Sequence, residues 1–157
     1  MNDNPKQAAH GNIEAEMADK LYKNLKMGTD SIVSLMPKVQ GKSENIKADM
    51  TVQLDGYEKL ASKARKILLD NGKKPTEENM MTKMGAKVGI MMNTAMDATP
   101  SHIAQMMIEG STMAITDTLK LKHEYERTQS PPSTCLSIAD ELVRFEQGNI
   151  EKMKKYL

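Results

Sequence analysis

The sequence predicts an all-α fold, and three observations lead to that prediction. Of the 157 residues, 39% are hydrophobic but only 3% are aromatic, with no Trp and 15 Met. Leu, Ile, Met and Ala must therefore build the interior, and they suit packed helices better than sheets. Apolar residues also recur at three- and four-residue steps over long stretches, and Gly or Pro separates one stretch from the next.

The first predicted helix runs from Asn12 to Met36. Pro37 and Gly41 end it, because a proline ring clashes with the preceding helical turn. Residues 1–11 carry few large apolar side chains and are predicted to form a flexible tail, ahead of a single helical domain over 12–157. The predicted inner row of the first helix is Ala18, Leu21, Leu25, Gly28, Ile32 and Leu35.

The second predicted helix runs from Ser43 to about Asn71, where Asn71-Gly72 is a C-terminal stop. Gln53 is a polar residue on the predicted inner row of this helix. The apolar members of that row are Ile46, Met50, Tyr57, Leu60, Ala64 and Ile67.

The third and fourth predicted helices meet at Thr99-Pro100. The third is rich in methionine and runs from Thr76 to about Asp97. Thr99 caps the fourth, with Pro100 at its first position, and the helix continues to about Arg127. Its predicted inner face holds Ile103, Met106, Met107, Gly110, Met113 and Ala114.

The fifth predicted helix follows the Ser130-Pro131-Pro132 break and starts at Ser133 or Thr134. Lysines in its last turns complement the helix dipole. Its predicted inner row is Cys135, Ala139, Leu142, Glu146, Asn149 and Met153.

Short connections predict two antiparallel hairpins, formed by the first and second helices and by the fourth and fifth. The third helix would be about 33 Å long at 1.5 Å per residue, which is enough to cross back between the hairpins. The predicted architecture is a four-helix bundle with a shorter crossover helix. An α-solenoid is the alternative, but the sequence has no repeat at a period of about 30 to 45 residues.

Three local features resemble the ferritin-like superfamily, in particular its small bacterial members. They are the Gly72-Lys73-Lys74-Pro75 loop, the methionine-rich crossover helix and Ile108-Glu109-Gly110 in the next helix. The resemblance covers roughly residues 13–157. It implies a ferritin-like bundle, the fold whose di-iron members take a Glu from each of two helices and a Glu-x-x-His from each of the other two.

The Glu-x-x-His motif is absent from this chain. The residues three positions before its histidines are Gln7, Thr99 and Lys120. Glu146-Gln147-Gly148-Asn149 resembles the motif with Asn in place of His, and Gln53-Leu54-Asp55-Gly56 resembles it with neither ligand. By resemblance both imidazoles are missing, which favours a structural or protein-interaction module over an enzyme.

Glu146 has a second interpretation, because a buried carboxylate is costly without a partner. It could belong to a residual iron or manganese site with Glu109 and Asp117, whose hard oxygen ligands suit those metals. Otherwise it reaches solvent at the bundle edge or forms hydrogen bonds. The candidate partners for those bonds are Gln53, Tyr57 and Asn149.

The methionines also allow more than one interpretation. Thioether ligands could hold Cu(I), but Met is equally a pliable core filler and a common residue on surfaces that bind partners. Because the crossover helix carries methionines on more than one side, we expect a homodimer, with a further protein partner possible through the same face. Cys135 is interpreted as a small core residue, with a reactive thiolate at the helix N-terminus as the alternative.

Composition argues against several other classes of protein. The net charge is +1, from 22 basic and 21 acidic residues, which offers no electrostatic footprint for nucleic acid. A single cysteine allows neither an intrachain disulfide nor a cysteine zinc cluster. No apolar run resembles a secretory signal or the roughly 18 residues of a membrane span, so the sequence predicts a soluble cytoplasmic protein. Nucleotide-binding and nucleophile motifs are also absent.

Overall fold

A computed structural model describes residues 5–39, 44–76, 99–128, 130 and 132–157 of the protein. Within these ranges there is no strand, and four α-helices are formed, which confirms the predicted all-α class. The third predicted helix falls on residues 77–98 and so lies outside the described ranges. The helices are α1 (Pro5–Leu35), α2 (Glu44–Asp70), α3 (Pro100–Arg127) and α4 (Thr134–Lys154), with a 3-10 turn at Met36–Lys38 after α1.

The first helix starts earlier than the predicted Asn12. The helix begins at Pro5, so residues 5–11 are helical. Proline suits a first turn, because its φ is already close to the helical value and its missing N–H has no partner there. The first turns also pack beside the end of α2: Lys73 Nζ donates to Asn12 Oδ1 at 3.2 Å. Tertiary contact therefore extends the helix beyond its periodic apolar residues.

Two predicted helix boundaries are confirmed in atomic detail. At the end of α2, Gly72 has a φ of 70°, its N–H donates to the Leu69 carbonyl, and the Lys73 N–H donates to the Leu68 carbonyl at 2.8 Å. This is a Schellman ending, which needs a left-handed residue and so favours glycine. At the start of α3, the Thr99 hydroxyl accepts from the His102 N–H at 3.3 Å.

The interior is formed by the inner rows of all four helices. The rows predicted for α2 and α4 are buried throughout, including Gln53, Glu146 and Asn149. The inner face of α3 differs from the prediction, since Gly110 is exposed and Met113 is half-buried. The residues of α3 that are buried are Ile103, Ala104, Met106, Met107, Ser111, Thr118, Leu121 and Tyr125.

The helices pack in two pairs, α1 with α2 and α3 with α4, and the pairs join through α2–α4 and α1–α3 contacts. Exposed ion pairs mark these junctions. Lys63 Nζ lies 2.6 Å from Glu141 Oε2 between α2 and α4, and Lys20 Nζ lies 3.0 Å from Glu124 Oε2 between α1 and α3. In the described part of the chain, none of the helices has the length and apolar character needed to span a membrane.

Candidate functional site

Five polar side chains from three helices meet in the interior, and we call them the central polar layer. None is more than 5% exposed, and Glu146 is fully buried. Such side chains are costly inside a protein unless they find hydrogen-bond partners, so the layer is a natural candidate for a site. Its members are Gln53 and Tyr57 of α2, Ser111 of α3, and Glu146 and Asn149 of α4.

The carboxylate of Glu146 is the acceptor at the centre of this layer. The Tyr57 hydroxyl donates to Glu146 Oε1 at 2.6 Å, and Asn149 Nδ2 donates to Glu146 Oε2 at 3.4 Å. Ser111 also forms hydrogen bonds with this carboxylate and with the Tyr57 oxygen. Gln53 forms a further hydrogen bond with the Tyr57 oxygen. Both Glu146 oxygens are thus satisfied by the protein itself. Two of the partners weighed for Glu146 from sequence, Tyr57 and Asn149, are confirmed.

Burial keeps protons on this layer. It raises the pKa of Glu146 above its ordinary value of 4.5, and the hydrogen bonds from Tyr57, Ser111 and Asn149 only partly oppose it. Burial also raises the pKa of Tyr57 well above 10, and the neighbouring Glu146 carboxylate adds to that rise. The phenol is therefore a permanent donor at neutral pH, which suits a structural bond rather than proton transfer.

Close packing holds the Tyr57 ring in place. A Cβ built on Gly28 of α1 would stand 2.6 Å from ring atoms of Tyr57, so only glycine lets the two helices approach at this level. On the other side, the Phe145 ring meets Tyr57 edge to face, with centroids 5.1 Å apart and planes at 81°. Phe145 in turn packs on Gly56, where a side chain would collide with its ring.

An apolar pocket lies above the central polar layer, between α1 and α3. Its cavity has a volume of about 90 Å³, and three members of the central polar layer, Gln53, Tyr57 and Ser111, belong to its lining. Gln53 is 3% exposed, yet its Oε1 atom has no hydrogen-bond partner. The other lining residues are Asn24, Met27, Gly28, Ser31, Ile32, Leu35, Met106, Met107, Gly110, Met113 and Ala114.

The structure does not bring the three predicted metal ligands together. Glu109 is exposed, and its Oε1 accepts from Gln105 Nε2 at 3.0 Å. Asp117 is partly exposed, and its Oδ1 atom lies 3.7 Å from Lys120 Nζ. In the described ranges, no three His, Cys, Asp or Glu side chains are grouped so that they could hold a metal ion. The idea that Glu109 shares the interior with Glu146 is therefore wrong.

Cys135 takes the place predicted for a core residue. It is fully buried, and its thiol donates to the Glu14 carbonyl at 3.5 Å. Burial, with a smaller contribution from the Glu14 carboxylate, raises the pKa of Cys135 to about 12. The thiolate alternative thus loses its physical basis, because a reactive cysteine needs a lowered pKa and access to solvent.

Sequence reasoning missed two parts of this site. Ser111 was not singled out, because a small hydroxyl residue inside a helix carries no periodic signal. The pocket was missed because it depends on the spacing between α1 and α3. The sequence did contain one signal, the small residues Gly28 and Gly110 and several methionines that line the same pocket. Glycine permits two helices to approach closely, and methionine side chains adapt their packing to the space that remains.

The site cannot be assigned by likeness to known proteins. Comparison of the chain with models of protein families, with curated proteins and with solved structures finds no match. The function must therefore be argued from the central polar layer and the pocket.

Proposed function

We propose that this protein is a ferritin-like helical bundle that acts by binding, as an interaction module, with the pocket between α1 and α3 as its binding surface. The observation that carries the proposal is the closed hydrogen bonding of Glu146, whose two oxygens are held by Tyr57, Ser111 and Asn149. A group built to bind metal or substrate at this position would keep a lone pair or a proton directed at open space.

Contacts between the helices support the ferritin-like arrangement. Tyr57 of α2 pairs with Glu146 of α4, and Asp49 of α2 pairs with Tyr156 just beyond the end of α4, so numbering rises along one segment as it falls along the other. Lys20 of α1 pairs with Glu124 of α3, while the pocket joins residues 24–35 to residues 106–114. Tyr57 of α2 packs on Gly28 of α1 while Lys73, just after α2, bonds Asn12 of α1, so α1 and α2 run in opposite directions. Because α1 is antiparallel to both α2 and α3, these registers favour antiparallel hairpins, with α2 and α3 pointing the same way and a crossover between them.

The described residues do not fit a dinuclear carboxylate centre. Such a centre takes a carboxylate from each of the four helices and two imidazoles. Glu146 is the sole buried carboxylate among the residues described, and the side chains across from it are Gln53, Tyr57 and Ser111. Neutral hydrogen-bonding groups thus stand where charged ligands would be required, and this favours the binding module over the alternative of an iron or manganese carboxylate protein.

Metal content tests the proposal directly. Protein is expressed in medium supplemented with iron and manganese, purified without chelator, and analysed for metals beside the Glu146→Gln variant. We expect less than about one tenth of an equivalent of any transition metal in both proteins, because in the described ranges no other carboxylate, imidazole or thiol is grouped with Glu146 to complete a metal site. One or two equivalents in the wild type, lost in Glu146→Gln, would overturn the proposal and establish the metal-site alternative.

The predicted homodimer and cytoplasmic location stay predictions. The methionines that suggest self-association lie largely in residues 77–98, outside the described ranges. Part of the methionine-rich surface is described, since Met27, Met106 and Met113 line the pocket. Molar mass by light scattering is the check on the dimer.

A further inference from the structure

One peptide bond of the chain is chemically prone to deamidation. Asn71-Gly72 is the only place in the sequence where glycine follows asparagine. At such a step the backbone nitrogen of glycine can attack the side-chain carbonyl carbon of asparagine, because glycine has no side chain that blocks the approach. Both residues are exposed in the structure, so water also reaches them.

The reaction needs no partner other than water. A bond forms between the Gly72 nitrogen and the side-chain carbonyl carbon of Asn71, the bond from that carbon to the amide nitrogen breaks, and ammonia leaves with the proton of the Gly72 N–H. Water then opens the cyclic succinimide at either of its carbonyl groups, which gives aspartate or isoaspartate. Each product has a carboxylate where the chain had a neutral amide.

In the folded chain the end of α2 engages both reacting groups. The Gly72 N–H donates to the Leu69 carbonyl at 3.0 Å, and Asn71 Nδ2 donates to the Ile67 carbonyl at 2.9 Å. The proton of the attacking nitrogen is therefore held in the Schellman ending, and the amide that would leave is held against the last turn of the helix. Because both hydrogen bonds must break before the reaction, its rate should follow local opening of the helix end.

The product does not fit this helix end. A carboxylate cannot donate to the Ile67 carbonyl, and it adds negative charge at a helix C-terminus, where the dipole disfavours it. The isoaspartate form also inserts an extra methylene group into the backbone. The first turns of α1 are affected as well, because Asn71 Oδ1 lies 3.1 Å from a Cβ built on Gly11 and Lys73 Nζ donates to Asn12.

We propose that Asn71-Gly72 is a spontaneous modification site guarded by the fold, so that deamidation marks molecules in which the end of α2 has opened and prevents that end from re-forming. The inference is independent of the proposed binding function. It predicts a slow, one-way conversion of the folded protein, at a rate set by how often the helix end opens.

Deamidation rates of the folded and unfolded chain test the guard. The full chain is incubated at mildly alkaline pH with and without guanidinium chloride. Residues 67–73 are then recovered as one tryptic peptide, in which mass spectrometry and chromatography separate asparagine, aspartate and isoaspartate. We expect Asn71 to react at least about tenfold more slowly in the folded chain. Equal rates would overturn the guard, and no reaction in guanidinium chloride would overturn the site.

Two substitutions at one position locate the guard. Lys73→Pro removes the N–H that donates to the Leu68 carbonyl at 2.8 Å, whereas Lys73→Ala keeps it, and both leave the reacting step unchanged. In the folded chain we expect Lys73→Pro to react about threefold to tenfold faster than Lys73→Ala, which is the effect of one hydrogen bond. In guanidinium chloride the two should react equally.

Equal rates in the two folded variants would overturn the role of the helix end. Far-UV circular dichroism establishes that both variants are folded. If Lys73→Pro is not, the comparison of the folded and unfolded wild type decides the proposal by itself.

Asn71→Asp tests the consequence of the modification. It carries the charge of the product, whereas Asn71→Ala removes the same side-chain hydrogen bond without adding charge. Hydrogen exchange of the Lys73 N–H should be about twofold to fivefold faster in Asn71→Asp than in Asn71→Ala. Exchange that is no faster in Asn71→Asp would overturn the claim that the product keeps the helix end open.

Discussion

Two tyrosine–carboxylate hydrogen bonds connect α2 with α4 and with the residues just after α4, and they differ in almost everything except length. At the centre of the bundle, Tyr57 donates to Glu146 at 2.6 Å. Towards the end, Tyr156 donates to Asp49 at 2.7 Å. The central pair is buried, whereas the terminal pair is half-exposed and shares its carboxylate oxygen with Lys155, 2.7 Å away.

The two carboxyl groups respond to these surroundings in opposite directions. Burial raises the pKa of Glu146 above 4.5 in spite of three hydrogen-bond partners. Slight burial also tends to raise the pKa of Asp49. Hydrogen bonds from Lys155 and Tyr156 outweigh this effect and bring the pKa of Asp49 below 3.8. A short bond from tyrosine therefore does not fix the charge of a carboxyl group; access to water and a nearby cation do.

Replacing each carboxylate by leucine should separate the pairs most strongly. Glu146→Leu leaves the Tyr57 hydroxyl and the Asn149 amide buried without their acceptor, and we expect it to lower the free energy of unfolding by about 2–4 kcal/mol. Replacement of a buried charged group by an apolar one of similar size is often neutral or stabilising, but not here, because two buried donors depend on Glu146. Urea unfolding at neutral pH provides the measurement.

Asp49→Leu is the matched control at the exposed pair. Water can replace the lost acceptor there, so the change should cost less than about 1 kcal/mol. Equal losses in the two variants would mean that burial does not distinguish the pairs.

The pairs should also contribute to stability in opposite ways as pH changes. The pKa of Glu146 is raised by folding, so its contribution is complete below the unfolded value near 4.5 and is lost as pH rises through the folded pKa. The pKa of Asp49 is lowered, so its contribution is present above 3.8 and is lost as pH falls through the folded pKa.

Unfolding in urea at half-unit steps from pH 3 to pH 7 measures both contributions. In the wild type, Glu146 should make the free energy of unfolding fall as pH rises above about 4.5, and Glu146→Gln should remove that fall. Asp49 should make it fall as pH drops below about 4, and Asp49→Asn should remove that fall. Neither slope can exceed about 1.4 kcal/mol per pH unit for one proton. The interpretation fails if Glu146→Gln leaves the upper range unchanged.

Most of the fold could be predicted from the sequence, because apolar periodicity and stop signals act locally. The inner row of α4 was predicted residue by residue, with Glu146 and Asn149 in it, since their neighbours one turn away are apolar. The helix stop at Asn71-Gly72 and the Thr99 cap were predicted for the same reason. The start of α1 was not, because its first turns depend on contact with α2.

The site was only half predictable. On α3 the inner row includes Ser111 and Thr118, two polar residues that an apolar pattern passes over, and the predicted face is therefore rotated towards Gly110 and Met113. That rotation is why Glu109 was expected beside Glu146 and is instead exposed. Contacts between polar residues of different helices depend on how each helix is rotated and how far apart the helices lie. A local sequence pattern encodes neither quantity.

Direct titration of Glu146 tests the central claim, that its carboxyl group is buried and fully occupied by protein partners. The ¹³C-carboxyl shifts of Glu146 and Asp49 are followed by NMR from pH 2.5 to pH 8, with and without Zn²⁺ as a metal probe. We predict a midpoint above 4.5 for Glu146 and below 3.8 for Asp49, with the Glu146 curve unaltered by zinc. A Glu146 midpoint below 4.5, or one that falls when zinc is added, would contradict the account.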